Sequence, residues 1–288
     1  MPKTSAHPAT LPAPPSAAGA AQPQLSDTDR ARLVRTVQVP GATGLIGLIV
    51  VVVLVVWSIA GSGFNLERFV SGIPRMADFL VRMWPASFDK FPIIVELLTE
   101  TLQMAVVGTL IGAALSLLVS FGATSTIAPK WLYNSTRFVL NVLRSIPELI
   151  FALMFVSAVG LGPFAGILAL IIGSIGSIGK VYAEAMESVS TGPIEALSSA
   201  GASKRQVITY GVVPQAAPLL VSYTLLLFEG NVRGATILGL VGAGGIGMEL
   251  TTAMRMYDYG HLFAIIISII VLVTVIDRIS ALIRKKIT

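Results

Sequence analysis

The stretch TGLIGLIVVVVLVVWSIA, residues 43–60, carries no charge, and the uncharged run around it extends from Thr36 to Leu66. In a helix these residues rise about 27 Å, close to the roughly 30 Å hydrocarbon core of a bilayer. A helix that is apolar on every face over this length belongs in lipid or in the centre of a large core. The rest of the chain decides for lipid. Of its 288 residues 54% are hydrophobic and only 12% charged, with a mean hydropathy of +0.82; a soluble domain carries about a quarter charged residues. The apolar runs are long and continuous, not ten-residue alternations, so the spans are helices and not barrel strands. The fold class is an all-α membrane protein.

Working outward, five further apolar runs lie at about 100–123, 138–159, 164–182, 216–240 and 261–276. Six spans put both ends of the sequence on one side. Thirteen Lys and Arg then fall inside and five outside, with Arg144 and Arg233 within spans; this bias sets the orientation as N-in, C-in. Four of the five outer cations sit in the first outer loop. Residues 1–40 form a cytoplasmic tail ahead of a transmembrane domain at 41–288. Its first 25 residues are rich in Pro, Ala and Gln and are expected to be disordered. A Ser26–Asp29 capping box opens an expected short amphipathic helix through Arg35. The first apolar run starts too far in for a signal peptide. With no cysteine there is no disulfide or thiol chemistry, and His7 and His261 lie too far apart to suggest a metal site.

One polar stretch, 191–214, interrupts the second half. Thr191, Gly192 and Pro193 read as a helix start, with Glu195 in the first turn, where the helix dipole favours an acid. Gly201 ends that helix. Ser203 and Gln206 form a capping box for a second one. Lys204 and Arg205 fall at its start, the wrong end for cations, and Pro214 marks the return into the membrane. Helices this short are unstable alone. They need a surface, which is either the membrane, the ends of the chain's own helices, or a partner protein.

EALSSAG (195–201) followed by VVP (212–214) resembles the EAA signature of ABC-importer permeases. Glu195, Ala196, Gly201 and Pro214 stand at matching positions; Leu197 replaces the second Ala, Gly211 the usual Ile, and Val213 the usual Leu. RFVLNVLRSIPELIFALMFVSAVGLGPFAGILAL (137–170) and FEGNVRGATILGLVGAGGIG (228–247) are similar to the phosphonate and phosphite branch of these permeases. The resemblance covers about residues 95–285. It implies a type I importer with MetI-like architecture, in a bacterial cytoplasmic (inner) membrane, that moves phosphonate, phosphite or a related phosphorus oxyanion by alternating access. Glu195, Ala196, Gly201, Ser203, Lys204, Arg205 and Pro214 would then couple to a separate ATPase. The implied partners are a second copy of the chain, two ATPase subunits on the cytoplasmic side, an external substrate-binding protein and membrane lipid, with no nucleic acid. ATP and Mg would be bound by the ATPase and no cofactor by this chain. Where many phosphonate permeases carry a His-Thr pair, this sequence has Gly173-Ser174, which points toward a smaller anion such as phosphite.

Two glycine-rich segments look like nucleotide motifs and fail as such. GSIGSIGK (173–180) puts Ser174 at the first Gly of a P-loop and Val181 where a magnesium-binding hydroxyl is needed; it reads as a small-residue face for close helix approach. GAGGIG (242–247) lacks the surrounding βαβ unit and reads as a turn at the outer mouth. Gly242, Gly244, Gly245 and Gly247 are outer-gate candidates whose N–H groups would touch a passing anion. Arg144 with Glu148, and Glu229 with Arg233, are spaced i,i+4, which allows self-pairing along each helix. These four, with Ser174, are the candidates for the translocation path. Two other readings stay open: an ion-driven secondary transporter, for which no internal repeat is visible, and an ABC permease for another small solute such as methionine.

Overall fold

The computed structural model describes residues 42–287. The expected tail at 1–40, with its Ser26–Asp29 box and short helix, lies outside the described residues. The chain divides into two units, Met1–Ser71 and Gly72–Thr288. In the first, α1 (Ala42–Gly61) is the all-apolar run, exposed from Gly44 onward as a lipid-facing helix is. The helix α2 (Leu66–Met83) begins in this unit and continues into the second. It lies where only an outer loop was expected.

The second unit contains α3 (Phe91–Ala123), α4 (Lys130–Ser145), α5 (Glu148–Val159), α6 (Pro163–Glu187), α7 (Thr191–Ser199), α8 (Lys204–Gln206), α9 (Val213–Leu238), α10 (Ile246–Arg255) and α11 (Tyr259–Ile287). Among the described residues there is no strand. Five helices are long and apolar enough to cross a membrane, and the bent pair α4–α5 makes a sixth span. The six-span layout therefore holds, with different edges. The second span begins at Phe91 and not near residue 100, and the last runs through Ile287 and not to 276. Both helices continue beyond the hydrocarbon layer, where polar residues no longer oppose helix formation.

The third span departs most from expectation. It is not one helix over 138–159 but two, meeting at 85° across Ser145–Pro147. Pro147 has no N–H to donate and disfavours helical geometry at Ile146, whose ψ is 120°. The bend fits against α6 because Gly176 stands beneath it: a Cβ there would lie 2.8 Å from the Arg144 amide nitrogen and from the Leu143 carbonyl carbon. Gly173 lies against Glu148 and Gly179 against Leu140 in the same way. This is the small-residue face read in 173–180, and it receives α4 and α5.

The core forms where α3, α6 and α9 meet. Gly108 and Gly112 of α3 admit Leu170 and Ser174 of α6, which a Cβ would meet at 2.8 and 2.6 Å. Lipid tails are as apolar as these side chains, so close backbone approach and interhelical hydrogen bonds drive the association. Asn231 on α9 supplies such bonds, donating to Thr109 Oγ1 at 2.9 Å and Ser174 Oγ at 3.2 Å. All three residues are buried.

Candidate coupling surface and translocation path

The cytoplasmic stretch is built from its caps upward. Ser190 is the N-cap of α7 with an extended backbone, and Pro193 sits in the first turn. Glu195 is the fifth residue, one beyond that turn. At the other end Gly201 takes φ +81°. The N–H of Gly201 donates to Ser198 O and that of Ala202 to Leu197 O, closing the helix in the way a left-handed glycine allows. The capping box is also present: Ser203 N–H donates to Gln206 Oε1 at 2.8 Å.

The second short rod is not separate. Lys204–Gln206 runs directly into a π turn at Val207–Val212 and then into α9. The widened turn stands just before Pro214, which cannot donate to Tyr210 O and whose ring would strike that carbonyl in a regular helix. One free-standing helix, α7, therefore lies against the foot of α9. Gln215 ties them together: its Oε1 accepts from Ser190 N–H at 3.2 Å and its Nε2 donates to Gly211 O.

The two departures from the EAA pattern at 197 and 211 touch each other. A Cβ on Gly211 would lie 3.1 Å from Leu197 Cδ1, so the larger side chain on α7 fills the space left by the smaller one on the π turn. Leu197→Ala is expected to destabilise the contact by about 1–2 kcal/mol, below the range for a fully buried Leu because Leu197 is half-exposed. Gly211→Ile clashes alone, and the double variant recovers most of the loss. Melting of the purified protein in detergent measures this; additive losses would show that the two positions do not compensate.

Glu195, Ala196, Gly201, Ser203, Lys204 and Arg205 are all exposed, as is Tyr210 at 70%. Glu195, Lys204 and Arg205 form no ion pair or hydrogen bond through their side chains among the described residues. Just above, Arg137 joins the inner ends of the bundle. It donates to Glu187 Oε2 at 2.9 Å and to Ala123 O at 3.1 Å, while Ser125 N–H donates to Glu187 Oε1. The polar surface around α7 is thus mounted on a braced set of helix ends.

In the membrane the charges pair across helices, not along them. Arg233 donates to Asp277 of α11 at 3.1 Å, and Glu229 accepts from Arg284. Self-pairing of Glu229 with Arg233 is therefore overturned: both point at α11, whose acid and base lie beyond the run expected to end at 276. The bend overturns the Arg144–Glu148 pairing, since the two residues are on different helices. Arg144 is exposed at the end of α4. The Glu148 carboxylate rests beside Gly173 and Gly234 and has no hydrogen-bond or ion-pair partner among the described residues. Ser174 is fully buried, donates to Leu170 O and receives Asn231. Asn231 and Thr109 were missed; a lone Asn in an apolar run was the available signal.

The glycine turn at 242–247 is closely packed. Gly245 N–H donates to Glu100 Oε1 and Ile246 N–H to Thr101 Oγ1, each at 2.8 Å. Gly242 N–H is bonded to Gly239 O and Ala243 N–H to Leu238 O. Those N–H groups are already satisfied within the chain, which leaves little of an anion nest. Gly244 must be glycine, since with φ +83° a Cβ would meet Pro163 N at 2.7 Å. Among the described residues no group of three His, Asp or Glu side chains could hold a metal.

A sequence profile for the binding-protein-dependent transport system inner membrane component matches residues 117–288. The chain belongs to this family. It is a multi-pass transport subunit of a cytoplasmic membrane. Among its relatives, the phosphite transport system permease protein PtxC of Stutzerimonas stutzeri is 40% identical over 75% of this chain and 79% of its own length. The phosphate-import permease protein PhnE of Mycolicibacterium smegmatis is 42% identical over 77% of this chain and 42% of that longer relative. Among solved structures, the inward-facing MetNI methionine ABC transporter has a chain matched with a TM-score of 0.63 at 26% identity, covering 70% of this chain and 99% of that one. The MetI-like helical architecture implied by the EAA resemblance is thereby shown.

Proposed function

We propose that this inner membrane component carries a phosphorus oxyanion, of the phosphite, phosphonate or phosphate class, through a path between two copies of itself. The observation that carries the substrate class is the 40% identity to a phosphite permease over 75% of the chain. Two separate ATPase subunits, binding ATP and Mg, dock on the α7 surfaces, and an external binding protein delivers the anion. ATP-driven closure of the ATPases draws the two α7 helices together. Gln215 and the Arg137–Glu187 brace pass that displacement to α9 and to the inner ends of α3, α4 and α6.

Within the path we assign Arg144 to offset the charge of the passing anion, because it is exposed and unpaired within the described chain. Glu148, also unpaired, faces the same bend and keeps the arginine from forming a trap. Arg144→Met is expected to lower uptake about tenfold or more with assembly intact, the loss of one charge-assisted contact to the moving anion. Glu148→Gln is expected to slow release and so lower maximal uptake while tightening apparent affinity. Labelled phosphite uptake against concentration separates the two. Gly242, Gly244, Gly245 and Gly247 act as a rigid outer rim in this scheme, and Ser174 supports the path from behind.

Reconstitution tests the whole reading. With the ATPase and binding protein present, phosphite uptake should require ATP and survive collapse of the proton gradient. Uptake that follows the gradient would establish an ion-driven transporter, and ATP-dependent uptake of methionine but not phosphite would transfer the chain to the other solute class. Purified alone, the chain should run as a homodimer by light scattering; stable assembly only with a second, different permease would overturn that part.

A further inference from the structure

The helix α2 places cations where the orientation rule predicts few. Arg68, Arg75 and Arg82 recur every seven residues on it. At about 100° per residue they share one face, roughly 180° from the apolar stripe that includes Ile73 and Leu80. Such a helix lies in the outer interface with its apolar side in the acyl layer. Its charged side faces the outer end of α11, where Arg75, Asp78, Phe79, Arg82 and Tyr259 line a cavity of about 260 Å³. Tyr259 is set in place by edge-on contacts with Phe79 at 5.3 Å and Tyr257 at 6.2 Å between ring centres.

Within the described chain neither Arg75 nor Arg82 has an ion-pair or hydrogen-bond partner, and Asp78, three and four residues away from them, pairs with neither. Three unpaired charges lining one cavity leave a net positive site. Two arginines and a tyrosine lining one cavity supply the kind of donors that the oxygens of a tetrahedral phosphorus group accept.

We propose that Arg75, Arg82 and Tyr259 form a phosphate-group binding site on the outer face, separate from the translocation path. Its position in the interface favours the phosphodiester of an anionic lipid. A soluble phosphorus oxyanion has the same chemistry and is the other source to test. The site does not depend on which solute the permease carries. Occupied by lipid, it would anchor α2 to the outer end of α11.

The test uses the full chain in nanodiscs of phosphatidylcholine with or without phosphatidylglycerol, with retained lipid counted by native mass spectrometry. Labelled inorganic phosphite and phosphate are titrated onto the same samples. Wild type should retain phosphatidylglycerol about tenfold more strongly than phosphatidylcholine, and R75Q/R82Q should lose that preference. R75K/R82K should keep part of it, which controls for folding. Capture of the soluble anions instead, lost in the same variant, would support the site and name its source. If wild type prefers neither probe, or R75Q/R82Q binds as wild type does, the proposal is overturned.

Discussion

Glu195→Arg is expected to cut ATP-driven uptake at least about tenfold while the protein still inserts and assembles. The side chain is exposed and makes no bond within the described chain, so a surface change there alters folding by about 0.5 kcal/mol or less. Moving a cation toward the start of α7 adds a few tenths against the helix dipole. Neither cost approaches a folding threshold. At a protein interface the same reversal places a charge against a surface shaped for its opposite, which costs several kcal/mol, and 1.4 kcal/mol is already a factor of ten. Co-purification with the ATPase and uptake in proteoliposomes should therefore fall together, while gel filtration of the permease alone stays unchanged. Loss of the permease itself would assign Glu195 to folding. Unchanged coupling would remove α7 as the contact.

Much of this architecture could be read from the sequence because lipid imposes a strong rule. An apolar run long enough to span leaves few alternatives, so residues 43–60 and the cores of the other spans were legible. So was α7, because Pro193 and Gly201 act locally. What was hidden depended on partners. The helix α2 escaped because its arginines and apolar residues interleave, so it is polar on average and reads as a loop unless the 3.6-residue period is followed. The i,i+4 spacing of Glu229 and Arg233 was real, yet Asp277 and Arg284 took their charges. That choice is made by the packing of α9 on α11, which no local pattern reports. The Asn231–Thr109–Ser174 knot likewise joins residues up to 122 positions apart.

These misses bear on the path. Had Arg144 and Glu148 shared a helix, their pairing would have cancelled both charges. The bend at Pro147 separates them and leaves each without a partner in the described chain. Glu229 and Arg233 do the reverse: each pairs with a residue of α11. The residues that sequence spacing made equivalent are thus divided by one proline and one helix contact into a pair without partners in the described chain and a pair that joins α9 to α11.

That division depends on Gly176, and Gly176→Leu is expected to prevent assembly of a stable permease. The clash is with backbone: the amide nitrogen of Arg144 and the carbonyl carbon of Leu143, both 2.8 Å from the added Cβ, with Leu143 Cβ at 2.9 Å. A flexible side chain would turn aside, but main chain at a bend moves only with α4 and α5 together. Overpacking of this kind costs about 3 kcal/mol or more, a large share of a stability of about 5–15 kcal/mol. Gly47→Ala in α1 provides the contrast. It too is a helical glycine, but nothing lies within 4 Å of its Cβ position, so it is expected to be neutral or stabilising by about 0.5–1 kcal/mol. Fluorescence-detected gel filtration after a heat step ranks the two against wild type. If Gly176→Leu survives heating as well as Gly47→Ala does, α4 and α5 do not rest on α6 at this glycine, and the separation of Arg144 from Glu148 loses its structural basis.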